Sequence, residues 1–437
     1  MNILRKILLH PILKRMGEEG PKRYFFHTGW NLTGRVVGLI VGFFVNIYVI
    51  RVLGPYNFGL VSYVLSYVGL FAFLASLGVD SILYVDLIES PEKKDKLLGT
   101  SFILKIVGSI LVCIILLISV SFNNNGFYVN LLILLFGISF IFSPFSVINT
   151  YFLSKVFSKP IVINSIVVNI ILACLKVLVV FLHLNLVYFI IILACESLFY
   201  SIGYLFIYRK YKFNIFKWKF DKNIAQQILY NSWPLILSGA FVQIYMRIDQ
   251  VFIKHMVSIE SVGLYGAAVK LSEIWYFLPV VVVGSLFPAV LNARKVGITK
   301  YIHRLSRLYS LAIYLSILFI IPIFFLSEQI VVILYGTAYL GAVSSLKIYI
   351  WAGVSVAISS VLTQALIGEK RTKMTLLISL IGMTLNVILN IYFIPKYGIE
   401  GAAWTTLISY SISPFAILLF KNTRNHFFYM CRGLLFR

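Results

Sequence analysis

Apolar runs of roughly 20 residues, each the length of a helix that crosses a bilayer, follow one another along the chain with short polar stretches between them. They fall near residues 30–52, 57–83, 98–120, 128–150, 161–182, 185–208, 229–252, 264–290, 308–326, 342–366, 374–394 and 400–420. The pattern predicts an all-α polytopic membrane protein with twelve transmembrane helices. Lys and Arg in the loops give the direction. One alternate set of loops, which includes both termini, holds 29 of them, and the other set holds only Arg51, Lys254 and Lys396. Basic loops stay in the cytoplasm, so both termini are expected there. A miscounted helix would scramble this alternation.

The polar stretches divide the chain. Residues 1–29 mix bases with short apolar segments and are expected to lie on the membrane as an amphipathic arm; they lack the apolar core and cleavage site of a signal peptide. Residues 209–228, beginning "RKYKFNIFKWKF", form the longest internal polar stretch and follow the sixth run. The expected layout is a six-helix lobe over 30–208, this basic cytoplasmic linker, a second lobe over 229–420 and a basic cytoplasmic tail over 421–437. Six helices return the chain to its starting side, so the two lobes should be parallel repeats. A faint echo agrees: "LGPYNFGLVSY" (53–63) leads into helix 2 as "IESVGLYGAAV" (259–269) leads into helix 8.

Composition narrows the class. With 60% hydrophobic and 12% charged residues and a mean hydropathy of +0.94, the chain is too apolar for a soluble domain. Trp30, Trp233 and Trp404 stand near run ends, where amphipathic rings settle. The net charge of +23 is scattered between apolar runs and forms no soluble basic face, so nucleic acid is not an expected partner. Cys113, Cys174, Cys195 and Cys431 show neither paired nor metal-type spacing, and no metal site is expected. No loop can house a catalytic domain, and "GEKRTK" (368–373) lacks the glycine spacing of a phosphate cradle. Enzymatic catalysis, ATP hydrolysis included, is therefore not expected.

Ten charges stand inside the apolar runs: Arg35, Lys105, Lys176, Arg247, Lys270 and Lys347, with Asp80, Glu196, Asp249 and Glu273. At about 3 kcal/mol for each charge facing lipid at mid-membrane, the set would cost on the order of 30 kcal/mol, more than the net stability of a typical domain. Most must face protein or water. Odd-numbered helices run outward, which puts Arg35, Lys105 and Asp80 in the inner half, Glu196 near the middle and the others in the outer half. Lys105 and Lys347 are close enough to helix ends to snorkel. Lys270 and Glu273, three apart, could pair along one helix face. Arg247 and Asp249 point to nearly opposite sides of helix 7, so Asp249 is expected to meet Lys270 across helices 7 and 8. Glu196 has no base nearby in sequence. Asp80 suits a helix terminus.

Glycine and proline add a second layer. Gly34, Gly38 and Gly42 form one smooth helix face with Arg35 at its edge, as close packing requires. Pro144, Pro279, Pro322 and Pro414 lie inside crossings and are expected to bend them. Asn386 and Asn390 share a face of helix 11, suited to hydrogen bonds between helices or to sugar.

Three stretches together carry a resemblance. "RVLGPYNFGLVSYV" (51–64) with "LASLGVDSILY" (74–84), "YMRIDQVFIKHMVSIESVGLYGAAVKL" (245–271) with "FPAVL" (287–291), and "LNIYFIPKYGIEGAAWTTLIS" (389–409) resemble the O-antigen-type polysaccharide flippases of the multidrug, oligosaccharidyl-lipid and polysaccharide exporter superfamily. The resemblance implies two six-helix lobes around a central cavity. It also implies movement of an undecaprenyl-diphosphate-linked oligosaccharide from the inner to the outer leaflet of a bacterial inner membrane, in a pathway with polymerase and chain-length proteins as partners. It marks Arg35, Arg247 and Asp249 as cavity residues. Peptidoglycan-precursor flippases of the superfamily usually have fourteen crossings, against twelve here.

The residues support the same expectation independently. Six bases against four acids attract a diphosphate. Arg35 and Lys105 would receive it on the cytoplasmic side, and Lys176, Arg247 and Lys270 would hold it after the lobes rock. Glu196, Asp249 and Glu273 are the candidates for coupling to a driving ion, H+ or Na+; no other cofactor is expected. A multidrug or cation antiporter of the same superfamily would favour an acidic cavity. A membrane-embedded polymerase or glycosyltransferase would carry a long charged external loop.

Overall fold

The computed structural model describes residues 20–123, 125–369, 371–421 and 423–434; the side chains of 20–28, 31–33, 35, 372, 433 and 434 lie outside this description. No strand occurs among the described residues. The helices are α1 (Gly20–Gly69), α2 (Ala72–Ser76), α3 (Val79–Glu89), α4 (Lys94–Phe122), α5 (Phe127–Gly137), α6 (Val147–Ser154), α7 (Lys159–Phe181) and α8 (Leu186–Lys210). They continue with α9 (Lys222–Met256), α10 (Ile259–Val296), α11 (Ile298–Phe325), α12 (Ser327–Tyr335), α13 (Val343–Tyr349), α14 (Ala352–Gly368), α15 (Thr372–Ile412) and α16 (Asn425–Leu434).

Nine helices among the described residues are long and apolar enough to cross a membrane, or ten if the pair ending in α13 and α14, bent by 44°, is one span. Two of them contain a glycine break. Gly54 (φ 70°, ψ 170°) interrupts α1, and Gly398 (φ 56°, ψ −134°) interrupts α15. Both dihedral pairs suit a residue without Cβ. Each break falls where the sequence ends one apolar run and begins the next, so each long helix supplies two crossings and the twelve runs are accounted for.

The chain forms two compact units. Among the described residues, the first comprises the stretches that lie within 1–46, 74–124 and 134–233, and the second those within 47–73, 125–133 and 234–437. In the first unit, Val79, Leu83, Leu97, Leu98, Ile148 and Tyr208 belong to one buried cluster. Residues 209–228 are docked against it. Lys219 N donates to Asp95 O at 3.1 Å, Trp218 Nε1 donates to the Tyr208 hydroxyl at 3.1 Å, and Lys96 meets Asp221 at 2.9 Å. The Lys96 hydrogen bond, aided by the backbone N–H of Ile224 and Asn223, holds the Asp221 carboxyl below its usual value.

The first two members of the glycine face serve packing. A Cβ on Gly34 would meet Val162 at 2.5 Å, and one on Gly38 would meet Asn169 at 3.4 Å, whereas Gly42 has nothing within 4 Å. The Val162-to-Asn169 spacing of seven shows α1 running along α7. Pro144 lies in a 3-10 stretch, Ile138–Ser146, within the fourth crossing. There Ser197 and Ser201 of α8 donate to the carbonyls of Ser139 and Phe142 at 2.5 and 2.8 Å. Neighbouring hydroxyls thus satisfy backbone acceptors that an unbroken α-helix would have used itself.

In the second unit, α16 packs its buried His426 and Met430 toward α11. His426 Nε2 lies 3.2 Å from Glu369 Oε2, the Tyr301 hydroxyl donates to Glu369 Oε1 at 3.0 Å, and Arg371 stands 3.6 Å away. Burial pushes the Glu369 carboxyl up, but the His426 hydrogen bond and charge, with Tyr301 and Arg371, outweigh it and hold the group below its usual 4.5. A depressed folded-state value stabilises above the unfolded value and loses that contribution as pH falls through the folded one. Glu369→Gln is therefore expected to loosen α16 at neutral pH, raising amide hydrogen exchange over 425–434 about tenfold. Wild type should lose the same protection only in acid. Equal exchange in the two proteins at pH 7 would refute the tie.

Candidate functional site

The most completely built polar centre among the described residues is Asp249, 3% exposed on α9. Its Oδ2 accepts from the Tyr265 hydroxyl of α10 at 2.7 Å and from Thr406 Oγ1 of α15 at 2.6 Å. Its Oδ1 accepts from Asn390 Nδ2, also on α15, at 2.6 Å. Asn390 Nδ2 also donates to Asn386 Oδ1 at 3.0 Å. Tyr265, Thr406, Asn386 and Asn390 are themselves buried. A carboxylate in such a place needs hydrogen bonds or positive charge, and here every donor is neutral. Asn390 Oδ1 and Asn386 Nδ2 are buried without a hydrogen-bond partner. Two carboxylate oxygens, two hydroxyls and two amide oxygens thus gather in one buried centre, a donor set of the hard oxygen type. No cluster of three or more His, Cys, Asp or Glu suited to a metal ion occurs among the described residues.

One helical turn from this centre, Tyr245 of α9 and Tyr410 of α15 meet edge to face with ring centroids 5.2 Å apart. They line a cavity of about 370 Å³ with Ser359, Ser360, Thr363 and Gln364 of α14. The Tyr410 hydroxyl is buried without a partner. The polar centre therefore adjoins a space rich in hydroxyl and amide groups.

The expected Asp249–Lys270 pair does not form. Asp249 faces Tyr265, and five residues advance a helix by about 500°, leaving Lys270 about 140° around α10 from Tyr265. Lys270 and Glu273 are half-buried and make no ion pair among the described residues, either with each other or elsewhere. Arg247 is also half-buried and makes no ion pair among the described residues. Its Nε lies 3.8 Å from the position a Cβ on Gly69 would take, so the guanidinium runs along a glycine surface.

In the first unit the charges have partners. Lys105, 3% exposed, donates to Asp80 Oδ1 and Oδ2 at 2.8 and 2.7 Å and to Ser146 Oγ at 2.6 Å. All three ammonium hydrogens are engaged, so a phosphate could meet Lys105 only after it parted from Asp80. Asp80 itself sits in the first turn of α3, where a negative charge suits the helix dipole. Lys176 of α7 stands 3.9 Å from Glu196 of α8; the base that Glu196 lacks in sequence comes from the neighbouring helix. The side chain of Arg35 lies outside the described residues.

Residues 27–294 match the family described as polysaccharide biosynthesis protein, and residues 234–392 match MatE. The chain belongs to the polysaccharide biosynthesis protein family. An uncharacterised membrane protein of Methanocaldococcus jannaschii is 28% identical over 244 residues, 52% of this chain and 57% of the relative. The "probable flippase AglR" of Haloferax volcanii is 29% identical over 176 residues, 38% of this chain and 36% of the relative. The chain thus spans less than two thirds of the length of these curated relatives. Among solved structures, the lipid II flippase MurJ in an inward closed conformation has a TM-score of 0.67 at 19% identity, covering 94% of this chain and 91% of MurJ. An inward-facing multidrug resistance MATE family transporter has a TM-score of 0.66 at 14% identity, covering 89% and 94%. Both likenesses are of fold. Together with the family match they establish the membership in the exporter superfamily that the three sequence stretches suggested.

For this family member, sequence reasoning singled out Asp249 and missed Tyr265 and Thr406. Asn386 and Asn390 were visible as a shared face, and their shared target was not. Lys254, counted from sequence as a loop base, donates to Asn125 Oδ1 and lies 5.5 Å from the Tyr63 ring centroid. Nothing in its sequence neighbourhood signals that contact.

Proposed function

We propose that this chain is a secondary transporter that moves a polyprenyl-diphosphate-linked oligosaccharide from the cytoplasmic to the outer leaflet of the cell's cytoplasmic membrane, with both termini cytoplasmic. The observation that carries this reading is that Arg247 and Lys270, half-buried on membrane-spanning helices, make no ion pair among the described residues. A permanent charge left without a partner at that depth is costly, and a diphosphate is a counter-charge of matching sign. Family membership supports a glycan cargo. Arg35 and Lys176 are assigned to the same anion route. Asp249 is assigned to the coupling ion, H+ or Na+, because its oxygens converge with no cation of the protein among them; Glu196 and Glu273 rank behind it.

The test is charge removal at Arg247 and Lys270 (Arg247→Gln with Lys270→Gln) in protein shown to be stably inserted. Surface glycan is expected to fall at least tenfold while lipid-linked units accumulate on the cytoplasmic face. Unchanged surface glycan would sink the reading. A change in drug sensitivity in its place would favour the multidrug antiporter, and single repeat units already outside the cell would favour a polymerase.

A further inference from the structure

We propose that the cleft between α3 and α6 in the first unit is a saccharide-binding subsite for the glycan part of the cargo; this rests on the lipid-linked oligosaccharide reading above. The cleft has a volume of about 450 Å³, and its lining includes Asp80, Ser81, Tyr84, Ser146, Asn149 and Thr150. That volume lies in the range of small-ligand pockets, about 300–1,000 Å³.

Its chemistry selects among ligand classes. An apolar ligand would leave the Ser81 hydroxyl and the Asn149 amide without partners and would cover the Asp80 carboxylate. A phosphate would find no free cation, since the ammonium of Lys105 is buried and fully engaged. A metal cation would find a carboxylate already neutralised by that ammonium. A polyol suits what remains. Lys105 acts as a positioning residue: it holds the Asp80 carboxyl at the cleft wall, with the Asp80 side chain 43% exposed. Oδ1 already accepts from Lys105 and, at 3.4 Å, from Thr150 Oγ1, whereas Oδ2 accepts from Lys105 alone among the described residues and has lone-pair capacity left for a sugar hydroxyl. Ser81, Tyr84 and Asn149 make no side-chain hydrogen bond within the chain among the described residues. The Asn149 amide can donate and accept together, as a hydroxyl pair requires. The exposed ring of Tyr84 offers an apolar face for the C–H side of a pyranose.

The place is also right. The second and fourth crossings both run inward by the charge asymmetry of the loops, so α3 and α6 bring the cleft to the cytoplasmic end, where the glycan is presented. The anion route and this cleft divide the cargo by charge: cations take the diphosphate, and a neutralised carboxylate takes the sugar.

The photoreactive substitution Tyr84→p-benzoylphenylalanine, and separately Asn149→p-benzoylphenylalanine, tests this in cells fed [14C]glucose and [32P]phosphate after protein synthesis has been blocked, so that the polypeptide itself takes up no 14C. Mild acid splits the glycosyl–phosphate bond. An adduct formed through sugar keeps 14C on the protein and sheds 32P, and this is the expected result at both positions. With the probe at Tyr84, Asn149→Ala is expected to lower the yield about tenfold. An adduct that retains 32P has captured phospholipid and overturns the subsite, as does the absence of any adduct at both positions. Met246→p-benzoylphenylalanine, beside Arg247, separates the two claims. Capture of acid-labile 32P lipid there with none at Tyr84 or Asn149 removes the subsite and keeps the transport reading, whereas no capture at any of the three positions removes both.

Discussion

Asp249→Asn is expected to leave the protein folded and inserted while lowering ion-driven transport by about a hundredfold or more. The substitution keeps the shape of the side chain. Its oxygen can still accept from Thr406 and Tyr265, but its nitrogen then faces the Asn390 Nδ2 that now lies 2.6 Å from Asp249 Oδ1, a donor against a donor. Turning the amide over moves the conflict to the two hydroxyls, which can rotate and accept in turn. The structural cost is thus about 1–3 kcal/mol, the range for one disturbed buried hydrogen bond. If Asp249 binds the coupling ion as proposed, the functional cost is larger, because the substitution removes the one carboxylate of this centre. Thr406→Val removes one hydrogen bond to that charge, worth about 1.5–3 kcal/mol, so it should weaken ion dependence by about ten- to a hundredfold with the driving ion unchanged. Transport in vesicles under imposed Na+ and pH gradients reads both effects. Wild-type rate and ion dependence in Asp249→Asn would remove Asp249 from the coupling.

Why Asp249 was visible in sequence and its partners were not follows from what each property depends on. A charge within an apolar run declares itself by transfer energy alone, and so do the helix lengths. The breaks at Gly54 and Gly398 were legible for a similar local reason: a glycine next to proline or in a polar turn interrupts an apolar run. Partners depend on register between helices distant in the chain. Asp249 and Thr406 are 157 positions apart and Asp249 and Asn390 are 141 apart, and no local pattern sets those angles. The interruption of the second crossing between Gly69 and Val79 was illegible too. There "LFAFLASLG" stays apolar while the helix stops twice, and hydropathy does not sense backbone breaks.

Gly263→Ala is expected to destabilise the protein strongly, although alanine is the better helix former. A Cβ at Gly263 would coincide with the carbonyl oxygen of Pro55, and one at Gly59 with the carbonyl oxygen of Ile259. Each carbonyl stands four residues before the glycine on its own helix, so the contact is reciprocal. It joins the two stretches that echo each other in sequence, "LGPYNFG" and "IESVG". A side chain in the way could change rotamer, but a carbonyl in the way can yield only if the helices separate. The cost should reach or exceed the upper end of the roughly 1–3 kcal/mol seen for overpacking. Gly284 on the same helix supplies the control: a Cβ there meets nothing within 4 Å, so Gly284→Ala should be neutral or stabilise by about 0.5–1 kcal/mol. Thermal melting of the purified protein in detergent is expected to show Gly59→Ala and Gly263→Ala well below wild type, with Gly284→Ala level with it or above. Because both glycines serve one crossing, the double variant should lose less than the two single losses added together. A Gly263→Ala protein that melts with wild type would mean that these helices do not meet backbone to backbone.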